Sequence, residues 1–221
     1  ARGYATGMMG KWGLGWAGSS GDPNRQGFDH YLSVLCQRVA HNHYPTHLWR
    51  DGERMPLDNA FLKAHQKLPA DADPDDPVSY AAYVGTDFSM DRLTEEALDF
   101  IRMHQDRPFF LYVPYLVPHV ALQVPEDSLA AYDGAFEETP YTGGRGYLPH
   151  RTPRAAYAAM ISRMDRDIGR IVDLVDDLGL AERTLIAFSS DNGPTYVGGV
   201  DRAFFASAGG LRGHKGQLYE G

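Results

Sequence analysis

The segment SSDNGP, residues 189–194, places a carboxylate and an amide side by side directly after the apolar run 184–188. The oxygens of Asp191 and Asn192 are hard ligands that suit Ca²⁺ or Mg²⁺. Asp-Asn-Gly-Pro is also ordinary turn chemistry, and these residues alone leave both interpretations open. Two ligands do not fill the shell of a hard cation, so a metal site here needs further ligands from elsewhere.

Two lysines lie among glycines, Lys11 in Gly10-Lys11-Trp12 and Lys215 in GGLRGHKGQLYEG. A lysine that glycines leave uncovered can contact an oxyanion without steric hindrance. At each position the alternative is a solvated surface lysine.

Histidines occur in two further segments. His119 follows the apolar run 109–113, where a catalytic or anion-binding role competes with a structural one. The segment HNHYPTH contains His41, His43 and His47, which indicate a transition-metal cluster, the lining of a pocket, or a hydrogen-bonded loop. The segment has no cysteine or carboxylate that would complete a zinc site.

Apolar periodicity predicts the elements that position these residues. Residues 91–104 and 153–180 repeat apolar side chains at helical spacing, and Gly179 suits a helix C-terminus. Short apolar runs predict strands, and a glycine-rich loop follows the first of them. The predicted strands are 4–10, 109–113 and 184–188. Strand, helix and strand in alternation predict an α/β fold with a mostly parallel sheet, whose ligands collect at the carboxyl ends of the strands.

Composition limits the partners. The 221 residues are 43% hydrophobic and 23% charged, which is typical of one globular domain. A net charge of -8 argues against nucleic acid or an anionic membrane surface as the main partner, although a local basic pocket can still hold an anion. No apolar run approaches the roughly 18 residues of a membrane span. A single cysteine, Cys36, excludes an intramolecular disulfide.

Five segments, in this order along the chain, resemble those of the sulfatases. They are GYATGMMGKWGLG, QGFDHY, PFFLYVPYLVPH, SSDNGP and GHKGQLYEG. The resemblance implies the alkaline-phosphatase-like fold, with three α/β/α layers around a mostly parallel sheet. It also implies that residues 1–221 are part of a catalytic domain, incomplete at both ends.

The resemblance assigns roles to the same residues. Asp191 and Asn192 would be ligands of an active-site Ca²⁺, with Mg²⁺ as an alternative. Lys11 and Lys215 would bind the sulfate oxygens, and His119 would contact the sulfate or protonate the leaving-group oxygen. Sulfate ester hydrolysis needs such a clamp and such an acid, together with a nucleophile in line with the leaving oxygen.

The sequence departs from the family pattern at the nucleophile. Sulfatases use a formylglycine, hydrated to a gem-diol, which is made from the first residue of Cys/Ser-x-Pro-x-Arg. That motif is missing here, and Cys36 in VLCQRVAH lacks the proline and arginine. We expect the motif and two more metal-binding aspartates upstream of residue 1, and a smaller C-terminal subdomain downstream of residue 221. The 221 residues alone are therefore expected to be inactive.

A second departure is Gly13, where many sulfatases have a histidine thought to take a proton from the gem-diol. A subgroup with glycine there shares a pattern like residues 36–49. We hypothesise that His41 or His43 fills the vacant space and contacts substrate.

The resemblance favours hydrolysis of sulfated carbohydrates or aryl sulfates. A phosphate or phosphonate ester hydrolase of the same fold, and a non-catalytic homologue that binds sulfated glycans, are the alternatives. Loops at 18–26, 41–49 and 133–150 are expected to shape the leaving-group pocket. Family members are usually periplasmic, secreted or lysosomal.

Overall fold

The computed structural model describes residues 3–221, and Ala1 and Arg2 lie outside the described residues. Its strands are β1 (Ala5–Lys11), β2 (His30–Val34), β3 (His47–Arg50), β4 (Glu53–Pro56) and β5 (Phe109–Tyr112). They form one sheet in the order β4-β3-β2-β1-β5. The pairings of β1 with β2 and β5 are parallel, and the two pairings of β3 are antiparallel. The sheet is thus mixed, with its parallel part at β2, β1 and β5.

The helices are α1 (Ser89–Met103), α2 (Glu126–Leu129) and α3 (Pro153–Asp177). Short 3₁₀ segments occur in the connections and after α3: Pro23–Gln26, Val39–His41, Pro77–Tyr83, Ala130–Tyr132 and Ala181–Arg183. The predicted helices 91–104 and 153–180 correspond to α1 and α3. No helix formed by residues 3–221 has the length and apolar character needed to cross a bilayer.

The two faces of the sheet are covered differently. Side chains alternate between faces along a strand, so Met9 joins the large core with α1 and α3, whereas Met8 joins Tyr31 on the opposite face. That opposite face is packed by Trp12 and Phe28 from the loop after β1 and the segment before β2. The α/β fold is confirmed. Among residues 3–221, α1 and α3 pack against one face of the sheet, and loop residues cover the other.

The predicted strand 184–188 is wrong. This segment has no regular secondary structure and pairs with no strand, and Leu185 and Phe188 are 93% and 74% exposed. The strand β5, at one edge of the sheet, also leaves Phe110 53% exposed. A parallel strand is stable only when a neighbour completes its hydrogen bonds and both faces are covered, and no strand among residues 3–221 provides this for 184–188.

A charged cluster ties the sheet to α1. The ring of His30 contacts Asp51 through Nδ1 at 2.6 Å and Glu96 through Nε2 at 2.8 Å. Hydrogen bonds to Asp51 and then to Glu96 raise the pKa of His30 to about 9, against the opposing effect of burial. His30 is therefore a cation at neutral pH that joins the start of β2, the β3–β4 turn and α1.

The His30 cluster predicts pH-dependent stability. Because the pKa of His30 is raised from 6.5 to about 9, its stabilisation is complete below about pH 6.5 and is lost as the pH rises to about 9. We expect His30→Gln to lower the free energy of unfolding by about 1–2 kcal/mol at pH 6 and by much less at pH 10. Urea unfolding at both pH values measures this. An equal loss at both would contradict it.

Candidate functional site

Lys11 is the last residue of β1 and is held against the segment that follows β5. Its backbone N–H donates to the carbonyl oxygen of Pro114 at 2.8 Å. This approach requires a glycine at position 10, because a Cβ there would fall on the same Pro114 carbonyl. The strand pairing therefore carries Lys11 to the loop that bears His119.

His119 is half-buried in the loop after β5, and its ring has a defined tautomer. Nδ1 lies 2.6 Å from the carbonyl oxygen of Val120, so Nδ1–H donates and Nε2 remains for a ligand. Burial lowers the pKa of His119, and the charges of Lys215 and Lys11 lower it further, while the Val120 hydrogen bond and Asp191 raise it. His119 is therefore a neutral imidazole at pH 7 when no ligand is bound.

His43 lies beneath His119 and is fully buried. Its Nε2 lies 3.0 Å from the carbonyl oxygen of His119 and donates to it. Its backbone N–H donates to the side chain of Gln123 at 2.8 Å, and the Gln123 amide donates in turn to the carbonyl of Tyr83. Because its ring has no exposed surface, His43 can act on a ligand only through His119.

A cluster of aromatic rings surrounds the exposed side of His119. The ring of His41 stacks on it with centroids 4.9 Å apart and planes at 13°. His41 Nδ1 also lies 3.0 Å from Nε2 of His65, and Tyr147 contacts all three histidine rings. Burial lowers the pKa of His41 to about 4, with added effects from His119, His65 and Lys11.

Charge effects indicate that Lys11, Lys215 and Asp191, which are far apart in the sequence, lie near one another. Burial lowers the pKa of Lys11, the charge of Lys215 lowers it further, and Asp191 acts in the opposite direction. The same Lys11, Lys215 and Asp191 act on His119. Such effects fall off with distance, so these four groups, from β1 and from loops near residues 119, 191 and 215, lie near one another.

The Asp191 and Asn192 segment is exposed. The Asn192 amide donates to the carbonyl of Gly193 at 3.1 Å, and the Asp191 carboxylate makes no hydrogen bond or ion pair with residues 3–221. An unpaired carboxylate next to an amide oxygen fits a hard cation in ligand type. Residues 3–221 contain no group of three or more His, Cys, Asp or Glu side chains that could hold a metal, so the fit is in chemistry and not in ligand number.

The segment HNHYPTH does not gather its histidines around a metal. His47 lies on β3, where its Nδ1 contacts the Thr46 hydroxyl at 3.1 Å and its ring packs against Trp49. His43 is bound to the backbone of His119. The interpretation as a hydrogen-bonded loop that lines a site is therefore the one the structure supports.

The hypothesis that His41 or His43 contacts substrate in place of the family histidine stays a prediction, but neither of them is the side chain nearest to Gly13. A Cβ on Gly13 would lie 2.6 Å from the side-chain amide nitrogen of Gln37, so Gln37 is the residue that occupies this space. The reason is local, because residue 13 donates its N–H to Leu35 and the chain turns at once into Gln37. The segment VLCQRVAH contains Gln37, but no local pattern in the sequence predicts the direction of its side chain.

Sequence reasoning also missed His65 and Gln123. His65 is 24 positions from His41, and Gln123 is 80 positions from His43. Neither residue stands in a motif, so no local signal distinguishes it. Only the packing of the 41–44, 61–68 and 119–124 segments brings these side chains together.

The buried amide of Gln123 predicts a large stability effect. Gln123→Leu leaves the His43 N–H and the Tyr83 carbonyl without partners, so we expect the free energy of unfolding to fall by about 2–4 kcal/mol. Gln105→Leu is the matched control, since its amide makes one local bond to the Arg102 carbonyl at the end of α1. Urea unfolding of both variants measures the difference. Equal losses would show that the Gln123 bonds contribute little.

The amino-acid sequence matches the family model described as Sulfatase over residues 1–221. Arylsulfatase G of Mus musculus is 30% identical over 208 residues, which cover 87% of this chain and 34% of the relative. Arylsulfatase A of Homo sapiens is 29% identical over 231 residues, covering 100% of this chain and 39% of the relative. The chain thus spans between a third and two fifths of the length of these curated relatives.

Two solved structures share the fold. The structure of Ps i-CgsB in complex with k-i-k-neocarrahexaose superposes with a TM-score of 0.66 at 23% identity, covering 100% of this chain and 43% of that one. A second, from work on glycosaminoglycan metabolism by Bacteroides thetaiotaomicron, gives a TM-score of 0.63 at 22% identity, covering 99% and 50%. The match of the family model over the whole chain, on this fold, shows that the protein belongs to the sulfatase family.

Proposed function

We propose that the protein hydrolyses sulfate esters, and that residues 1–221 supply part of its catalytic domain, including the clamp for the sulfate group. The proposal is supported by the proximity of Lys11, Lys215 and His119: the charge of Lys215 lowers the pKa of both Lys11 and His119. Two ammonium groups in one small site are stabilised when an anion lies between them. A sulfate ester supplies that anion.

Each group then has a role in the reaction. The ammonium groups of Lys11 and Lys215 donate hydrogen bonds to non-bridging oxygens and hold the sulfur in place. Nε2 of His119 faces the bridging oxygen. A bound anion raises the pKa of His119 and favours its protonated form, which gives its proton to the leaving oxygen as the sulfur–oxygen bond breaks.

We propose Asp191 and Asn192 as two of the ligands of a Ca²⁺, with Mg²⁺ as the alternative. The bound cation supplies positive charge for the developing negative charge on the sulfate group. We propose that the protein is exported or lysosomal. A hard-cation site of modest affinity suits the millimolar calcium outside the cytosol.

The nucleophile is proposed to be a formylglycine outside these 221 residues. Residues 3–221 contain one thiol, Cys36, in the turn after β2, where its carbonyl accepts from the Ala40 N–H. The sulfatase motif for formylglycine formation has a proline two residues after the cysteine, and this chain has Arg38 there.

A cavity beside the clamp suits a sugar as the leaving group. It has a volume of about 350 Å³, within the range of small-ligand sites, and its walls include Tyr141, Tyr196 and Arg145. Tyr196 packs against His214, the neighbour of Lys215, so one wall adjoins the clamp. The guanidinium of Arg145 is exposed and makes no hydrogen bond or ion pair with residues 3–221. We propose that the tyrosines stack on sugar rings and that Arg145 contacts an anionic substituent.

The reaction is tested on the complete protein with 4-nitrophenyl sulfate and 4-nitrophenyl phosphate. We expect faster hydrolysis of the sulfate, and we expect Lys11→Met and Lys215→Met each to lower kcat/KM by about 10²–10³-fold, because each removes a donor to the anion. Lys63→Met, at an exposed position, is the control. Faster hydrolysis of the phosphate would identify a phosphate esterase, and binding of sulfated glycans without turnover would identify a non-catalytic homologue.

The sugar pocket is tested with Arg145→Met. For a sulfated disaccharide that carries a second anionic group, we expect KM to rise about 10-fold, since one charge-assisted hydrogen bond is lost. KM for 4-nitrophenyl sulfate is expected to stay unchanged. Arg202→Met, another exposed arginine, is the control. A rise in KM for both substrates would place Arg145 at the sulfate group instead.

A further inference from the structure

The backbone N–H of Tyr147 determines the tautomer of His65. Tyr147 has a φ of 65°, in the left-handed region that non-glycine residues rarely adopt. Its N–H lies 3.1 Å from Nδ1 of His65. A backbone N–H can only donate, so Nδ1 of His65 carries a lone pair and the proton of its neutral ring is on Nε2.

The tautomer of His65 determines that of His41 in turn. Nε2 of His65 lies 3.0 Å from Nδ1 of His41. Since His65 donates from Nε2, Nδ1 of His41 must accept, and the proton of the neutral His41 ring is on Nε2. The ring of His119 stacked on it has the opposite arrangement, because its Nδ1–H donates to Val120.

The loop that carries Tyr147 is attached to the segment that carries His65. Leu68 donates its N–H to the carbonyl of Thr142 at 2.9 Å. Gly143 has a φ of +88°, and a Cβ there would fall on the carbonyl oxygen of Gln66, so only glycine permits this contact. Two exposed loops are thereby held in a fixed relation, and the Tyr147 N–H is directed at His65.

We propose that His65 is a positioning residue that keeps His41 neutral, with its proton on Nε2. His41 is then a hydrogen-bond donor in the site and not a base, while the lone pair on Nε2 of His119 takes up a proton when an anion binds. The two stacked imidazoles thus have different roles, His41 as a neutral donor and His119 as the group that takes up and gives a proton. That His41 donates to an oxygen of a sulfate ester rests on the function proposed above, whereas the tautomers do not.

Electrostatics favours this arrangement. A protonated His41 would add a further cation beside Lys11 and against the face of His119, in a half-buried place. Burial and these neighbours lower the pKa of His41 to about 4, so a donor without charge is what the site can hold. We call the hydrogen bonds from the Tyr147 N–H to His65 and from His65 to His41 the His65 lock. They make His41 a donor without adding a positive charge to the site.

The tautomers are measured by two-bond ¹H–¹⁵N correlation NMR of the complete protein labelled with ¹⁵N-histidine, with His41→Gln and His119→Gln used for assignment. The spectra are recorded in a buffer at about pH 7.5, at which imidazoles of ordinary pKa are neutral. We expect His41 to carry its proton on Nε2 and His119 on Nδ1. In His65→Phe, which keeps a ring beside Tyr147, we expect the His41 signals to average between tautomers while His119 is unchanged. His47→Phe is expected to change neither.

A backbone variant tests the lock without altering any ring. Gly143→Ala forces its loop away from Gln66, so we expect it to free the tautomer of His41 as His65→Phe does. Gly144→Ala is the matched control, because a Cβ there meets nothing within 4 Å. Should Gly143→Ala fail to fold, His65→Phe at its exposed position still decides.

A Nδ1–H signal for His41 in the wild type, or unchanged His41 signals in His65→Phe, would overturn the proposal. On 4-nitrophenyl sulfate we expect His65→Phe to lower kcat about 10-fold with a smaller change in KM, and His47→Phe to change neither. A wild type that shows the expected tautomers but does not hydrolyse sulfate would refute the proposed function and leave the His65 lock in place. Normal kcat in His65→Phe with an altered His41 tautomer would refute the catalytic use of the lock.

Discussion

The site depends on the close approach of the end of β1 to the segment after β5. The parallel pairing of the two strands begins this approach, and the bond from the Lys11 N–H to the Pro114 carbonyl completes it. It is possible because Gly10 has no Cβ to meet that carbonyl. A cation and a histidine that are more than 100 positions apart in the chain are thereby fixed on one side of the sheet. The remaining groups of the site are arranged around this pair.

Positive charge is the second constraint. Lys11, Lys215 and His119 lie near one another, and burial removes part of the water around Lys11 and His119. The positive charge is limited because the imidazoles of His41 and His43 are neutral and because the carboxylate of Asp191 lies nearby. The hydrogen bonds of these rings are used to hold positions, as in the bond from His43 to the His119 backbone. An anionic ligand completes the balance of charge, which is why the arrangement fits a sulfate ester.

Among residues 3–221, the sheet edge at β5 has no further strand beside it. β5 exposes Phe110, and the irregular segment 184–188 exposes Leu185 and Phe188. Apolar sequence made 184–188 resemble a buried strand, and the same composition explains why it is unstable in water as an unpaired one. Asp191 follows this segment, so the position of the proposed cation ligands is tied to a part of the chain with few packing contacts.

The sequence by itself determined the α/β class, the helices α1 and α3, and the strands β1 and β5, because apolar periodicity is a local property. Through the resemblance of its motifs it also predicted that Lys11, His119, Asp191 and Lys215 belong to one site. It missed the short strands β2, β3 and β4, whose stability comes from neighbours. Only the tertiary structure decided that Gln37 fills the space beside Gly13, that His43 is buried, and that Tyr147 and His65 set the tautomer of His41. Those outcomes depend on contacts between distant segments and on the direction of single N–H groups, which no local pattern of residues encodes.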